Sequence, residues 1–201
     1  FTAPKTYTAL VGHTAAEGNT YIRDNMKNVD ERLTLIGQTS ATVLGQLKSA
    51  PYGCVLNRTA AQSITDSTDT AITFPTGSVT EELDTDGFHS GATNTARITI
   101  PSGGGGWYAI GGNVRWETNA TGVRVLWAEY NGSAGTGTAI AESRIASSGS
   151  ATQTSQLVAT VYLLAAGDYV TLNVRQTSGG ARDIQSSGFS ARFYAVRLFS
   201  V

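Results

Sequence analysis

The fold class this sequence predicts is mainly β, an antiparallel sandwich behind a single amino-terminal helix, and three observations predict it. Only residues 14–36 repeat apolar side chains at helical spacing. From about residue 52 onward, short apolar and polar alternations are separated by glycine-rich turns. No helical stretch divides those runs, which excludes a parallel sheet built from βαβ units.

The start signal of the helix is Thr14-Ala15-Ala16-Glu17, in which the Thr14 hydroxyl can accept from the Glu17 amide while the Glu17 carboxylate reaches back. Gly37 stops it. Between these ends Ile22, Met26, Val29, Leu33 and Ile36 follow one another in steps of four and three, the seam of a coiled coil rather than a broad amphipathic face. That spacing puts Met26 and Leu33 at a and Ile22, Val29 and Ile36 at d. Residues unbranched at Cβ at a with β-branched residues at d favour three or four strands over two. The same stripe would also serve to dock the helix on the chain's own sheet. Alone the helix is marginal, because it orders about twenty residues at roughly 1 to 2 kcal/mol each against about 10 kcal/mol gross from burying five side chains. Tethered copies would change that balance, since the later helix contacts become intramolecular.

Residues 37–52 read as a polar linker, closed by Pro51-Tyr52-Gly53. Strands are then predicted over 54–63, 70–74, 78–83, 96–100, 107–118, 122–130, 138–146, 152–164, 169–177 and 189–201. Tyr108, Ile110, Val114 and Trp116 would face a core while Asn113, Arg115 and Glu117 face out. Val170, Leu172 and Val174 likewise oppose Thr171, Asn173 and Arg175. The last run is apolar on both sides, with Phe189, Ala191, Phe193 and Ala195 on one face and Tyr194, Val196 and Leu198 on the other. Such a strand packs on its core at one side and on a neighbouring subunit, or a covering loop, at the other. The division expected is therefore an arm and helix over 1–36, a linker over 37–52 and a β domain over 53–201. About ten short strands leave a sandwich, jelly roll or barrel, and the jelly roll is the preferred reading.

Composition narrows the partners. Charged residues are only 14% of the chain and the formal net charge is -1, so nothing favours nucleic acid or an anionic membrane surface. With 40% hydrophobic residues against 23 glycines, a packed core with many tight turns is expected rather than disorder. Cys54 is the single cysteine, so neither an internal disulfide nor a thiolate metal cluster can form. Residues 1–12 hold Pro4 and Lys5 and no continuous apolar core, and are not read as a signal peptide. No apolar run is long enough to span a bilayer.

Three stretches of the β region resemble the C1q and tumour-necrosis-factor-like jelly rolls. Ile100-Pro101-Ser102-Gly103 running through Gly106-Trp107-Tyr108-Ala109-Ile110 is similar to that family's proline, glycine and aromatic approach to a core strand. Leu164-Ala165-Ala166-Gly167-Asp168-Tyr169-Val170-Thr171-Leu172 resembles its glycine-aspartate turn before a long strand. Ser187-Gly188-Phe189-Ser190-Ala191-Arg192-Phe193 resembles its closing strand. Two further pieces, 84–89 followed by 94–101 and the helix segment Asn19-Thr20-Tyr21-Ile22-Arg23-Asp24-Asn25-Met26, resemble segments of bacteriophage virion proteins with a C1q-like end domain. The resemblance implies a homotrimer of jelly rolls whose amino-terminal segment attaches it to a virus particle. The partners so implied are further copies of the chain and other virion proteins of capsid or tail, at the virion surface after assembly in the host cytoplasm.

Catalysis finds little footing. His13 and His89 lie in the arm and in a turn, and no nucleophile elbow, His-Glu-x-x-His or phosphate-cradling motif occurs. Gly103 to Gly106 precedes a strand where a dinucleotide site needs a helix. Asp84 and Asp86, with Glu81 and Glu82, could ligate calcium, but the twelfth position of such a loop is Thr95 rather than glutamate. No catalytic residue, cofactor or metal ligand is assigned. The expected oligomer contacts are Ile22, Met26, Val29, Leu33, Ile36, Phe193 and Tyr194. Trp107 and Trp127 are the ligand-facing candidates for the alternative reading, a receptor- or glycan-binding tail tip contacting host-surface glycan; most of the aromatics are expected in the core. The loops 131–138 and 178–187 are the expected variable contact surface. The leading reading is a non-enzymatic structural protein, a fibre, spike or capsid decoration protein of a tailed phage.

Overall fold

The computed structural model describes residues 23–29, 31–32, 51–149, 152–187 and 189–201. The chain divides into two units, Phe1–Ala50 and Pro51–Val201. In the first, residues 23–29 and 31–32 are helical and exposed, and these include Met26 and Val29 of the expected seam. Ile22, Leu33, Ile36 and the Thr14 cap lie outside the described residues. No helix among the described residues is long and apolar enough to cross a membrane.

The second unit is two antiparallel sheets packed face to face. One runs in the order β2 (Gln62–Ile64), β11 (Arg182–Ile184), β6 (Gly106–Trp116), β12 (Arg192–Ser200), β1 (Gly53–Arg58) and β4 (Val79–Asp84), with β9 (Thr154–Leu164) along the other side of β6. The other runs β3 (Thr70–Ala71), β10 (Tyr169–Gln176), β7 (Val123–Tyr130) and β8 (Thr138–Ala146), with β5 (Arg97–Thr99) also on β10. Every ladder is antiparallel, and β6 pairs with β9 along its whole length, from Gly106 opposite Leu164 to Trp116 opposite Thr154. First and last strands meet at the centre, where β1 pairs with β12.

Alternation explains which residues enter the space between the sheets. Tyr108, Ile110, Val114 and Trp116 of β6, Val170, Leu172 and Val174 of β10, and Ala191, Phe193 and Ala195 at β12 are all fully buried. Buried polar tips find partners: Trp116 Nε1 donates to Gln156 Oε1 at 2.9 Å, and Tyr108 Oη donates to the Gly104 carbonyl. Burial pushes the Tyr108 hydroxyl up to about 12 despite Arg197 nearby. At Gly112 the two sheets are tightly packed, since a Cβ there would lie 2.5 Å from a Leu172 methyl. Only glycine lets β6 approach β10 at that point.

Two departures from the predicted strands have local causes. The run 54–63 breaks into β1 and β2, because the Arg58 guanidinium turns back to the carbonyls of Thr73 and Ala61 and ties a corner between them. The segment 178–187, expected as an open loop, contains β11, whose Ile184 is fully buried. Three residues are too few to show a period, so that strand exists by pairing with β2 rather than by its own pattern.

The turn from β9 to β10 is held by one carboxylate. Asp168 accepts from the Ala165 amide at 2.8 Å, from Asn131 Nδ2 at 2.8 Å and from Tyr130 Oη at 3.1 Å, while Gly167 supplies the left-handed φ of 89°. Burial alone would raise this carboxyl, but the bonds from Asn131, Ala165 and Tyr130 outweigh it and hold it below its ordinary value of 3.8. A depressed folded value favours the ionised form, so its stabilisation is complete above the ordinary value and is lost as pH falls through the lower one. Asp168→Ala is expected to cost about 2 kcal/mol at neutral pH. Urea titrations should show that cost shrinking in acid; a pH-independent difference would refute the assignment.

Candidate oligomer interface

Each sheet has an outer face, and the two faces are unlike. On the first sheet the outward positions of β9 are Ser155, Leu157, Ala159, Val161 and Leu163, all exposed. Register carries the apolar surface across the neighbouring strands: Leu163 lies opposite Trp107, Val161 opposite Ala109, and Ala159 opposite Gly111. Beyond β6, Val196 lies opposite Ala109, Tyr194 opposite Gly111, and Phe199 opposite Trp107 after a bulge. Val55 of β1 continues the Tyr194 row. Leu157, Val161, Leu163, Trp107, Leu198 and Phe199 are between 38% and 64% exposed.

Local packing fits this surface to lie flat. A Cβ on Gly111 would come 2.6 Å from Tyr194 Oη, so the absence of a side chain there leaves room for the tyrosine to lean across β6. Trp107 and Phe199 sit with ring centroids 6.5 Å apart. A monomer rarely exposes so continuous an apolar face, and β9 carries none of the charges that usually guard a sheet edge. Two longer edge strands do: β4 carries Glu81 and Glu82, and β8 carries Glu142 paired with Arg144 at 3.2 Å.

The outer face of the second sheet is covered by the chain itself. Glu129, Thr171 and Asn173 point outward yet are buried, because the loop 131–137 folds over them. Glu129 accepts from the amides of Gly135 and Gly137, from Asn173 Nδ2 and from Trp127 Nε1. Asn173 Oδ1 accepts from the Ala134 amide at 2.9 Å, and Thr171 Oγ1 donates to the Gly132 carbonyl at 2.8 Å. Gly132 and Gly137 touch through their backbones with no room for side chains. This loop is a bonded cap on its inner side, while Asn131, Gly135, Thr136, Gly137 and Thr138 are exposed on its outer side.

The sequence-selected residues separate accordingly. Tyr194 lies on the open face, half-buried. Phe193, grouped with it as an interface residue, instead occupies the core, stacked on Phe74 at 6.1 Å. Adjacent strand residues point to opposite faces, so only one of the pair can meet a partner. Trp107 is exposed among aliphatic side chains on the first sheet. Trp127 is only 7% exposed, on the outer face of the other sheet with Nε1 on Glu129 at 3.1 Å. The two ligand-facing candidates therefore lie on different sheets, and only Trp107 is exposed. Leu157, Val161 and Leu163 join this face as well, on a strand whose inward positions include the polar Thr154, Gln156 and Thr160.

The acidic turn does not gather its carboxylates. Asp84 accepts from the amides of Phe88 and His89 at 2.8 and 3.1 Å, Asp86 accepts from Tyr52 Oη, Glu81 faces His89 Nδ1 at 2.8 Å, and Glu82 pairs with Arg192. Each acid is engaged within the protein, His89 serving both Asp84 and Glu81. Burial, followed by Asp84 and Glu81, raises the Cys54 thiol far above its ordinary range and keeps it protonated.

No family model matches the chain, and no curated protein matches it. Solved structures do. Murine APRIL at pH 8.0 aligns with a TM-score of 0.53 and 16% identity over 74% of this chain and all of that one. Eiger TNF from S. frugiperda gives 0.49 and 14% over 75% of this chain and 94% of that one, and the globular domain of zebrafish complement 1qA gives 0.47 and 16% over 76% and 100%. At these identities the likeness is one of fold, and the match to APRIL carries it. The Pro51–Val201 unit is a C1q/TNF-like antiparallel jelly roll.

Proposed function

We propose that this chain is a non-enzymatic structural protein that works as a homotrimer, its jelly rolls packed through the outer face of the first sheet. One observation carries the reading: an apolar surface runs across β9, β6, β12 and β1, and none of the described residues covers it. Presenting an edge strand of one copy to the sheet face of the next is a head-to-tail contact, which must close into a ring or grow without limit. Three copies close the ring. Tethered to such a ring, three copies of the seam Ile22, Met26, Val29, Leu33 and Ile36 would have the partners that a coiled coil needs.

The site of action proposed is the surface of a tailed phage virion, as a fibre, spike or capsid decoration protein joined to capsid or tail proteins through residues 1–36. The virion-like segments in the sequence, the C1q/TNF-like fold and the exposed Met26 and Val29 support it. The non-enzymatic reading is supported by the acids of the sandwich, since Glu129, Asp168 and Asp84 are each engaged by hydrogen-bond donors that include backbone amides of turns and loops.

Sedimentation equilibrium of the full chain at micromolar concentration should return three times the 21.0 kDa protomer mass; a monomer would overturn the reading. Deleting residues 1–36 is expected to leave a soluble jelly roll that no longer joins particles carrying the intact chain. Continued decoration by the truncated form would dismiss the anchor.

A further inference from the structure

The second sheet holds a different feature, a polar cavity of about 200 Å³ lined by Gly87, Phe88, His89, Ser90, Thr93, Asn94, Arg97 and Thr99. Its floor is β5, where Ile98 turns into the core and Arg97 and Thr99 turn outward. Its wall is the loop 87–94, tied down by Thr99 donating to the Phe88 carbonyl at 2.7 Å and Arg97 donating its amide to the Asn94 carbonyl at 3.1 Å. The cavity is preformed.

Arg97 is the unusual group. Its guanidinium lies over the Tyr169 ring at 4.7 Å, its Nε is buried, and none of its side-chain nitrogens has a hydrogen-bond acceptor among the described residues. The other arginines of the sandwich donate to protein acceptors, Arg197 on Tyr52 excepted. Stacking occupies the face of a guanidinium and leaves its in-plane N–H edge free to take a carboxylate in two parallel bonds. The acids of the same turn are already engaged, Asp84 by two amides and Glu81 by His89.

The remaining lining supplies hydroxyl recognition. Ser90 Oγ and Thr93 Oγ1 lie 3.0 Å apart and share one hydrogen, which leaves the other for a ligand, and the Asn94 side-chain amide is without a partner among the described residues. A volume below the range of drug-sized pockets suits one sugar-sized group. We propose that this cavity binds a carboxylate borne on a polyhydroxyl body, the chemistry of an acidic sugar, with Arg97 on the carboxylate and Ser90, Thr93 and Asn94 on hydroxyls. The proposal is independent of the assembly reading, since it uses the opposite sheet.

Isothermal titration calorimetry of the full chain with sodium glucuronate, glucose and sodium acetate tests it. Glucuronate should bind saturably, acetate about tenfold more weakly for want of hydroxyls, and glucose not at all. Arg97→Gln should weaken glucuronate at least about tenfold. Asn94→Gly, which keeps the left-handed φ of 54° without strain, should weaken it less while leaving the fold intact. Absence of saturable glucuronate binding by the unaltered chain, equal affinity for acetate, or unchanged affinity in Arg97→Gln each overturns the assignment.

Discussion

Leu157→Asp combined with Val161→Asp should convert the assembled protein into a folded monomer. Both side chains are more than half exposed in the single chain, so the protomer loses little when they change. In the proposed assembly each aspartate replaces an apolar group, forfeiting about 1 kcal/mol of burial for a half-exposed side chain, and places a carboxylate without a partner where water is excluded, which costs several kcal/mol more. Together these amount to at least about 6 kcal/mol, or roughly ten-thousandfold in association. Sedimentation should then give one protomer mass, with the β circular-dichroism spectrum retained. Melting should also become independent of protein concentration. A double variant that stays trimeric would show that this face is not the contact.

The second large effect separates two neighbours on β12. Phe193→Ala empties a fully buried site against Phe74 and should cost about 3 to 5 kcal/mol of unfolding free energy, lowering the urea midpoint in a variant whose assembly surface is unaltered. Tyr194→Ala should do the reverse, costing about 1 kcal/mol in the protomer while weakening association, since the ring that spans Gly111 is part of the open face. Equilibrium unfolding and sedimentation on the same two proteins give four numbers. If Phe193→Ala dissociates the assembly without loss of stability, the two faces of β12 have been assigned the wrong way round.

This contrast also marks how far the sequence could be read. The two apolar faces of the closing strand are plain in the order Ala191, Phe193, Ala195 against Tyr194, Val196, Leu198, yet period alone cannot say which face meets the core. The structure decides it through register: Phe193 sits opposite Gly112, beside the Leu172 methyls, and Tyr194 sits opposite Gly111 on the other side of the sheet. The competing idea of a loop over the outer face holds for the other sheet, and among the described residues not for this one. Gly132 to Gly137 covers Glu129, Thr171 and Asn173, and no pattern in the strand marks those three as buried, because their partners lie some forty residues away in sequence for Asn173 and Thr171. The cavity at Arg97 was equally illegible. Its defining contact is to Tyr169, which pairing between β5 and β10 brings close.

By itself the sequence determined the class of the fold and its inner surfaces, because strict two-residue alternation in β6 and β10 and the breaks at glycine turns are properties of the local chain. Tertiary structure decided which outer faces are open, which loop becomes a cap, which acids are engaged and where a cation is left without an acceptor. Each of those depends on pairs of residues far apart in the chain, and the burial or bonding of a group is set by what the completed fold places against it rather than by its neighbours in order.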